Sequence, residues 1–429
     1  MIDYEFVVNC FDIAIVCALI IFLLLSLPLI LYFIEAFNKS PRFPRGKKLY
    51  KYAILIPARN EDKVITHILE SLKKQTYPKE YFDVYVIIES KDDPTFNITK
   101  KFGYNVYIRK DLINKRTKGF ALKEVIEYIN GLNKNYDAYM IFDADNIVSE
   151  DYIYLLNDVK NKGYQIGVGY RNFTNSTENW ISACSATLFS FMNQFTSKGR
   201  SKFFNKATLT GTGYYIDKKV VDDAGGWIWT GLTEDVALTT YSYYHNVKMH
   251  YYPYAMYYDE QPTTFKYMHR QHIRWVFGFV ENKSKYKKGV MYGKKTRRLG
   301  IIEYSLAVWP FATFVIVEFL AFITLFFLFI FACIFDTWDA ALWVGGHALF
   351  NLLCLYGSFI FASLIAIGLD NKNLKFKPKT IFKICFTYIF FFIDFALAFI
   401  DGFIHKKKRK NWVKIEHSGN VTNKDLKKK

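Results

Sequence analysis

Apolar residues along this chain fall into two patterns. Unbroken runs occur at Ile13 to Ile34 and again at roughly Ser305–Phe335, Ala340–Gly368 and Ile381–Ile404. About 20 apolar helical residues cross a bilayer core, so each run is long enough to span one. Between residues 50 and about 280 the pattern changes to short β-rich runs alternating with helically spaced ones. Strands are expected at Tyr52–Ile56, Val84–Ile88, Asn105–Ile108, Ala138–Phe142 and Gln165–Gly169. Helices are expected at Lys63–Lys74, where Val64, Ile65, Ile68, Leu69 and Leu72 share one side, and at Lys118–Asn130 and Tyr152–Val159. The alternation predicts an α/β domain with a mostly parallel sheet and helices on both faces, joined to α-helical transmembrane segments.

Charge sharpens the membrane reading. The formal net charge is +18, and the basic residues cluster beside the apolar runs, at Lys39 to Lys51 and Lys406 to Lys410. That placement suits an anionic lipid surface. With no nucleic-acid motif present, a nucleic-acid partner is not expected. Asp3, Glu5 and Asp12 precede the first run, and Lys39, Arg42, Arg45, Lys47, Lys48 and Lys51 follow it. The positive-inside rule then puts the N-terminus outside and residue 40 onward in the cytosol, making the chain a multi-pass protein of the cell membrane with its α/β domain in the cytosol. The link Asp336–Asp339 lacks basic residues and reads as external. The link Asp370–Thr380 and the tail after His405 are lysine-rich and read as cytosolic. Four crossings from an external N-terminus would leave the tail outside, so one segment is expected to be interfacial or re-entrant. Ile381–Ile404 is the candidate, because it carries Lys383, Asp394 and Asp401, and charge within a span is costly. Glu318 is a further carboxylate in an apolar run; it can line a pathway or bond a neighbouring helix.

The expected organisation is a transmembrane helix at 1–36, a cytosolic domain at 37–258, interfacial amphipathic helices at 259–300, two transmembrane helices at 301–369, a hydrophobic segment at 370–405 and a basic tail at 406–429. The six cysteines include no C-x-x-C pair and read as small buried hydrophobes rather than a zinc site or disulfide framework. Sequons such as Asn97-Ile98-Thr99 matter only on an extracytosolic surface.

Three clusters carry candidate chemistry. Asp143-Ala144-Asp145 follows a strand, and carboxylates at i and i+2 on a turn can hold a divalent cation against a diphosphate. Such a pair also arises by chance in turns. Thr233-Glu234-Asp235 precedes the apolar-periodic Val236–Tyr241. Thr233 can cap that helix with the acidic residues in its first turn, and one carboxylate can serve as the general base of a sugar transfer. Gln271-His272-Ile273-Arg274-Trp275 offers a guanidinium for a leaving diphosphate and an indole for a sugar ring. Its plainer reading is an amphipathic helix with a snorkelling Arg and an interfacial Trp. In parallel sheets, ligands bind beyond the carboxyl ends of strands, where Pro57-Ala58-Arg59-Asn60-Glu61, Glu89 and Asp143 to Asp145 all fall.

The order of these clusters, together with Lys118-Gly119, Ala121-Leu122, Gly211-Thr212-Gly213, Gly225-Gly226-Trp227, Glu260-Gln261-Pro262-Thr263 and Trp412-Val413-Lys414-Ile415-Glu416-His417, resembles the membrane-bound family 2 glycosyltransferases. These include cellulose, chitin, hyaluronan and poly-N-acetylglucosamine synthases. The resemblance covers nearly the whole chain. It implies a GT-A-like fold, a nucleotide-sugar donor (a UDP-sugar in the first instance), Mg2+ or Mn2+, and a glycan or lipid-linked acceptor. It places Pro57, Asn60, Glu61 and Glu89 at the nucleotide, with Lys118 helping to hold it. Asp145 would bind the metal and Asp143 the nucleotide or metal. Asp235 would be the catalytic base, with Gly211, Thr212 and Glu234 on the acceptor side. Gln271, Arg274 and Trp275 would touch diphosphate and acceptor, and Trp412, Lys414 and His417 would form a gating loop.

Two departures stand out. The family usually has an aspartate after the second strand, where this chain has Glu89 ahead of Asp92 and Asp93. His272 stands where Gln or Arg is common. The resulting expectation is an inverting, metal-dependent, processive polysaccharide synthase. Single transfer to a lipid-linked acceptor is the rival enzyme reading, and a non-catalytic membrane scaffold is the rival from another class.

Overall fold

The computed structural model describes residues 30–292 (114 and 133 excepted), 338–405 and isolated positions at 5–20 and 326–334. Eight strands form one sheet. They are β1 (Tyr52–Pro57), β2 (Phe82–Ile88), β3 (Asn105–Ile108), β4 (Ala138–Ile141), β5 (Ile147–Val148), β6 (Ile166–Phe173), β7 (Tyr214–Asp217) and β8 (Met249–Asp259). Their order across the sheet is β3-β2-β1-β4-β7-β6-β8-β5. The first half behaves as the alternation predicts: β1 lies parallel between β2 and β4, and β3 extends the parallel edge.

The period-2 pattern of β1 sorts the two layers. Tyr52, Ile54 and Ile56 pack with α1 (Ile65–Lys73) and α4 (Tyr152–Asn161), through Ile65, Ile68, Leu69, Leu72, Ile153 and Leu156. Ala53 and Leu55 face the opposite way. They join α3 (Lys118–Gly131) and α8 (Glu234–Tyr244), through Leu122, Val125, Ile126, Ala237 and Leu238. Helices therefore cover both faces, as expected. Between β2 and β3 lies α2 (Thr95–Lys101), and after β7 comes α7 (Lys218–Asp223).

The expectation of a mostly parallel sheet is corrected. The sheet is mixed: β7 is antiparallel to both β4 and β6, and β5 is antiparallel to β8. The cause is local. Gly211 and Gly213 hold φ of +89° and +67°, and the turn they make returns the chain into the sheet as β7. Gly213 has a second constraint, since a Cβ there would sit 2.1 Å from the Tyr257 ring. Gly213→Ala should destabilise the domain by about 2–5 kcal/mol, summing left-handed strain and overpacking. Urea unfolding checks this, and a variant within 0.5 kcal/mol of wild type would refute it.

A second body of helices packs beside the sheet. It consists of α5 (Trp180–Phe191), which continues through a π-helical turn into α6 (Lys198–Phe204), with α9 (Phe265–Tyr292), α10 (Trp338–Leu374) and α11 (Pro378–Ile404). Its core includes Ile181, Leu188, Phe189, Met268, Ile367, Ile384, Tyr388 and Phe391. Along α11 the buried residues Ile384, Tyr388, Phe391, Asp394, Ala398 and Gly402 form a helical stripe. The other face exposes Phe382, Phe386, Phe390, Ile393, Leu397, Ile400 and Phe403. Among the described residues, α11 is the one helix long and apolar enough to cross a membrane by length and composition. This is the segment whose charges had pointed to an interfacial role, and both of its aspartates lie on or beside the buried stripe. The runs Ile13 to Ile34 and Ser305–Phe335 lie mostly outside the described residues, as do Glu318 and the whole of Trp412 to His417.

Candidate active site

The first carboxylate cluster is built by β4 and the Gly211–Gly213 turn. The chain leaves β4 and turns at Asp143, whose backbone N–H donates to Thr212 Oγ1 (2.9 Å) and Asn146 Oδ1 (3.1 Å). Thr212 Oγ1 also donates to the fully buried Asn146. This pins the two acidic residues on one rigid turn. Asp145 accepts from Asn146 Nδ2 and from the Glu260 backbone N–H, each at 3.3 Å. Asn146 was not singled out from sequence; its side chain accepts from the Asp143 N–H and the Thr212 hydroxyl and donates to Asp145, bracing the turn.

Lys118 links this turn to the second cluster. It opens α3, whose N-cap Thr117 accepts from Phe120 N–H and donates to the Thr230 carbonyl at 2.8 Å. Gly119 allows the close approach, because a Cβ there would lie 2.2 Å from the Trp229 carbonyl oxygen. The Lys118 ammonium donates to Asp143 Oδ1 (2.5 Å) and to the Gly211 carbonyl (2.6 Å), and lies 3.7 Å from Glu234 Oε1. Lys118 thus joins α3, β4, the glycine turn and α8.

Glu234 and Asp235 open α8, as the capping reading predicted, although Thr233 makes no side-chain cap bond. Asp235 Oδ1 instead accepts from the N–H of Val236 at 2.8 Å. Thr233 is held from α9: Asn282 Nδ2 donates to its carbonyl (3.1 Å) and hydroxyl (2.9 Å), and Gly278 leaves room for its side chain. Burial raises both the Glu234 and Asp235 carboxyls above their ordinary range. The charges of Lys118, 3.7 Å from Glu234, and of Arg274 on α9 oppose that rise. A Cβ on Gly211 would lie 3.7 Å from Asp235 Oδ2, which brings the glycine turn to the same place.

The residues expected at the nucleotide gather at the ends of β1 and β2. Pro57 ends β1. Asn60 adopts φ +54° and donates its N–H to Asp93 Oδ2 at 2.8 Å. The Glu61 N–H donates to Thr95 Oγ1 at 3.0 Å, and its carbonyl receives the first N–H groups of α1. Glu89 pairs with Arg59 at 3.2 Å and stays partly exposed. Asp93 is buried and committed to Asn60 and Thr95, whereas Asp92 is exposed beside Ser90 and Glu89 stays partly exposed beside Arg59.

Not every expected residue enters the cluster. Trp275 is half-buried, with its ring against Phe189 (6.0 Å) and Phe395 (6.2 Å). Gln271 is half-buried on the same helix. Trp412, Lys414 and His417 lie outside the described residues. Sequence reasoning missed a buried network behind the glycine turn. Arg171 donates to Asp259 Oδ2 (2.9 Å from Nε) and to the Thr210 carbonyl (2.9 Å), and Gln261 Nε2 donates to the same Asp259 oxygen (2.9 Å). Burial raises the Asp259 carboxyl, and its Oδ1 has no partner among the described residues. The available signal was a charged residue inside the apolar β6.

Asp143 and Asp145 present hard carboxylate oxygens on one turn, a donor set that fits Mg2+ or Mn2+. Among the described residues no cluster of three or more His, Cys, Asp or Glu side chains is arranged for a metal, so the remaining ligands would come from substrate oxygens or water.

A mixed sheet covered by helices on both faces, with paired carboxylates at the carboxyl ends of its strands, defines a GT-A-like glycosyltransferase domain. Residues 50–278 match the family model described as glycosyltransferase like family 2, and the chain belongs to that family. A probable glycosyltransferase of Bacillus subtilis, YdaM, is 29% identical over 245 residues, 54% of this chain and 56% of its own. A poly-beta-1,6-N-acetyl-D-glucosamine synthase of Staphylococcus aureus is 25% identical over 252 residues, 56% of this chain and 59% of its own. The chain therefore spans little more than half the length of these relatives. Among solved structures, a mannosyltransferase from Pyrobaculum calidifontis in complex with GDP-Man and Mn2+ superposes with a TM-score of 0.54 at 15% identity. It covers 87% of this chain and 99% of its own, a likeness of fold.

Proposed function

We propose that this chain transfers a sugar from a nucleotide-sugar donor to a growing glycan at the cytosolic face of a membrane, with inversion at the anomeric carbon. The observation that carries the reading is the convergence of Lys118, Asp143, Glu234, Asp235 and the glycine turn at one end of the sheet, with the Arg274 charge acting on the carboxylate pair.

Pro57, Asn60, Glu61 and Glu89 would hold the nucleoside, a UDP-sugar being the first donor to test. Lys118 and Arg274 would face the diphosphate, supplying charge-assisted bonds that strengthen as it leaves. Asp143 and Asp145 would hold the divalent cation, which when bound neutralises diphosphate charge. Asp235 takes the proton from the acceptor hydroxyl. The acceptor oxygen then bonds to the anomeric carbon, and the bond to the diphosphate breaks with its electron pair leaving on the nucleoside diphosphate. An α-linked donor yields a β-linked product.

A processive synthase is the favoured form. Its support is Gln271-x-x-Arg274-Trp275 on a helix packed against the apolar α11, together with the poly-N-acetylglucosamine synthase among the relatives. In this reading the 1–36 helix and the segments after 300 anchor the chain, Gln271 and Trp275 meet the acceptor beside Gly211, Thr212 and Glu234, and Trp412, Lys414 and His417 gate the donor. Sizing the labelled product tests it. Polymer supports processive synthesis, whereas a single added sugar supports transfer to a lipid-linked acceptor. Chelation of divalent cations should stop turnover, and full turnover in chelator overturns the metal-holding role of Asp143 and Asp145.

A further inference from the structure

Histidines and aspartates tie the helix bearing Gln271, Arg274 and Trp275 to the apolar helix. Asp394, in the middle of α11, is fully buried. Its Oδ1 lies 2.6 Å from His269 Nδ1 and its Oδ2 lies 2.7 Å from His272 Nδ1. Carboxylate oxygens accept, and a ring that carries its proton on Nδ1 donates to them. His269 turns its other nitrogen to Asp401 Oδ2 at 3.1 Å, and Asp401 Oδ1 meets His405 Nδ1 at 2.6 Å.

Packing closes around these bonds. The His272 ring stacks on Phe395 at 3.9 Å and meets Phe391 edge-on. Phe277 fills the space at Gly402, where a Cβ would lie 2.1 Å from its ring. His272 Nε2 is buried with no hydrogen-bond partner among the described residues. Apolar side chains pack two helices at least as well as buried ions do; what directional bonds add is a single register.

That register bears on the active site. His269, His272, Ile273 and Phe277 face α11, while Gly278 and Asn282 seat the same helix on Thr233. The same helix packs on α8, which carries Glu234 and Asp235, and the Arg274 charge acts on both carboxyls. We infer that Asp394 is a positioning residue: by holding His269 and His272 it fixes the register of α9 against α11, and with it the placement of Arg274 over the Glu234–Asp235 pair. This rests on the proposed roles of Arg274 and Asp235. It gives the aspartates of α11 a use and accounts for a histidine at position 272.

The test is the pH dependence of kcat for the full chain in lipid, compared among wild type, Asp394→Asn, Arg274→Met and the double variant. The titratable groups that act on the carboxylate pair are Lys118 from α3, Arg274 from α9 and Tyr214 from β7, and the two carboxyls act on each other. Losing the guanidinium from its place removes a positive charge, so the acid limb of the profile moves to higher pH. Asp394→Asn should move it upward by about half a unit or more, in the same direction as Arg274→Met. The double variant should move no further than Arg274→Met alone. An Asp394→Asn limb that coincides with wild type, or shifts that add in the double variant, overturns the positioning role. Phe399→Leu, which trims packing on Phe277, should leave the limb at the wild-type pH. If Asp394→Asn fails to fold, His269→Gln at a half-buried position carries the same test, with an unmoved limb again overturning the inference. A wild type whose rate is independent of Asp235 overturns the functional reading instead.

Discussion

Asp235→Asn should lower transfer by roughly 10²–10⁴-fold, the range a positioned general base supplies, while donor affinity stays within about threefold of wild type because no donor contact is lost. The substitution is conservative where structure is concerned. Asp235 Oδ1 accepts from the Val236 N–H, and an asparagine oxygen can accept the same bond, so the start of α8 is preserved. What disappears is the ability to take a proton. The wild-type pH profile carries the same information. Burial raises the Asp235 carboxyl, and a base works only when deprotonated. Activity should therefore fall with decreasing pH through a value above the ordinary aspartate range of about 4. Turnover with labelled donor, and calorimetric binding of the nucleoside diphosphate, check the two halves. A variant that turns over at the wild-type rate would remove Asp235 from its role.

Lys118→Met should have the second largest effect, because one ammonium serves three elements. It bonds Asp143 and the Gly211 carbonyl and lies beside Glu234, with 13% of its side chain exposed. Removing it leaves carboxylates facing one another in a buried site. The expected cost is about 3 kcal/mol, the low end for breaking a buried pair, because Asp143 is more than a third exposed. Catalysis should suffer separately. Lys118 holds the Glu234 and Asp235 carboxyls down against burial, so its loss raises both and shifts the acid limb upward. Chemical unfolding and the kcat profile measure the two effects. A variant as stable as wild type, with an unshifted limb, would contradict the placement of Lys118 at the centre of the site.

Much of the domain was legible because its signals are local. The alternation within Tyr52–Ile56 matches the two layers that β1 separates, and the helical spacing of Ile65, Ile68, Leu69 and Leu72 matches the buried face of α1. The strand β7 was not legible. Tyr214–Asp217 is short, and its direction follows from two glycines at positive φ rather than from its own pattern. The strand β8 is rich in tyrosine, includes Pro253 and is paired irregularly with β6, so no simple periodicity marks it.

At the site, the carboxylate clusters were visible as motifs, and the structure brings Asp143, Lys118, Glu234 and Asp235 together across distant segments. Supporting contacts such as Asn282 on Thr233, or Arg171 on Asp259, depend on long-range packing that single residues do not announce. Asp394 was conspicuous as a charge in an apolar run, but its partners lie more than a hundred residues away.

The most direct measurement is nucleoside diphosphate release, together with sugar incorporation, by the purified full chain in lipid with a divalent cation, across a panel of labelled nucleotide sugars and with Asp235→Asn in parallel. The account predicts release coupled to incorporation for at least one donor, and loss of both in the variant. Equal release by wild type and Asp235→Asn, or no donor turned over by the wild type, would contradict it.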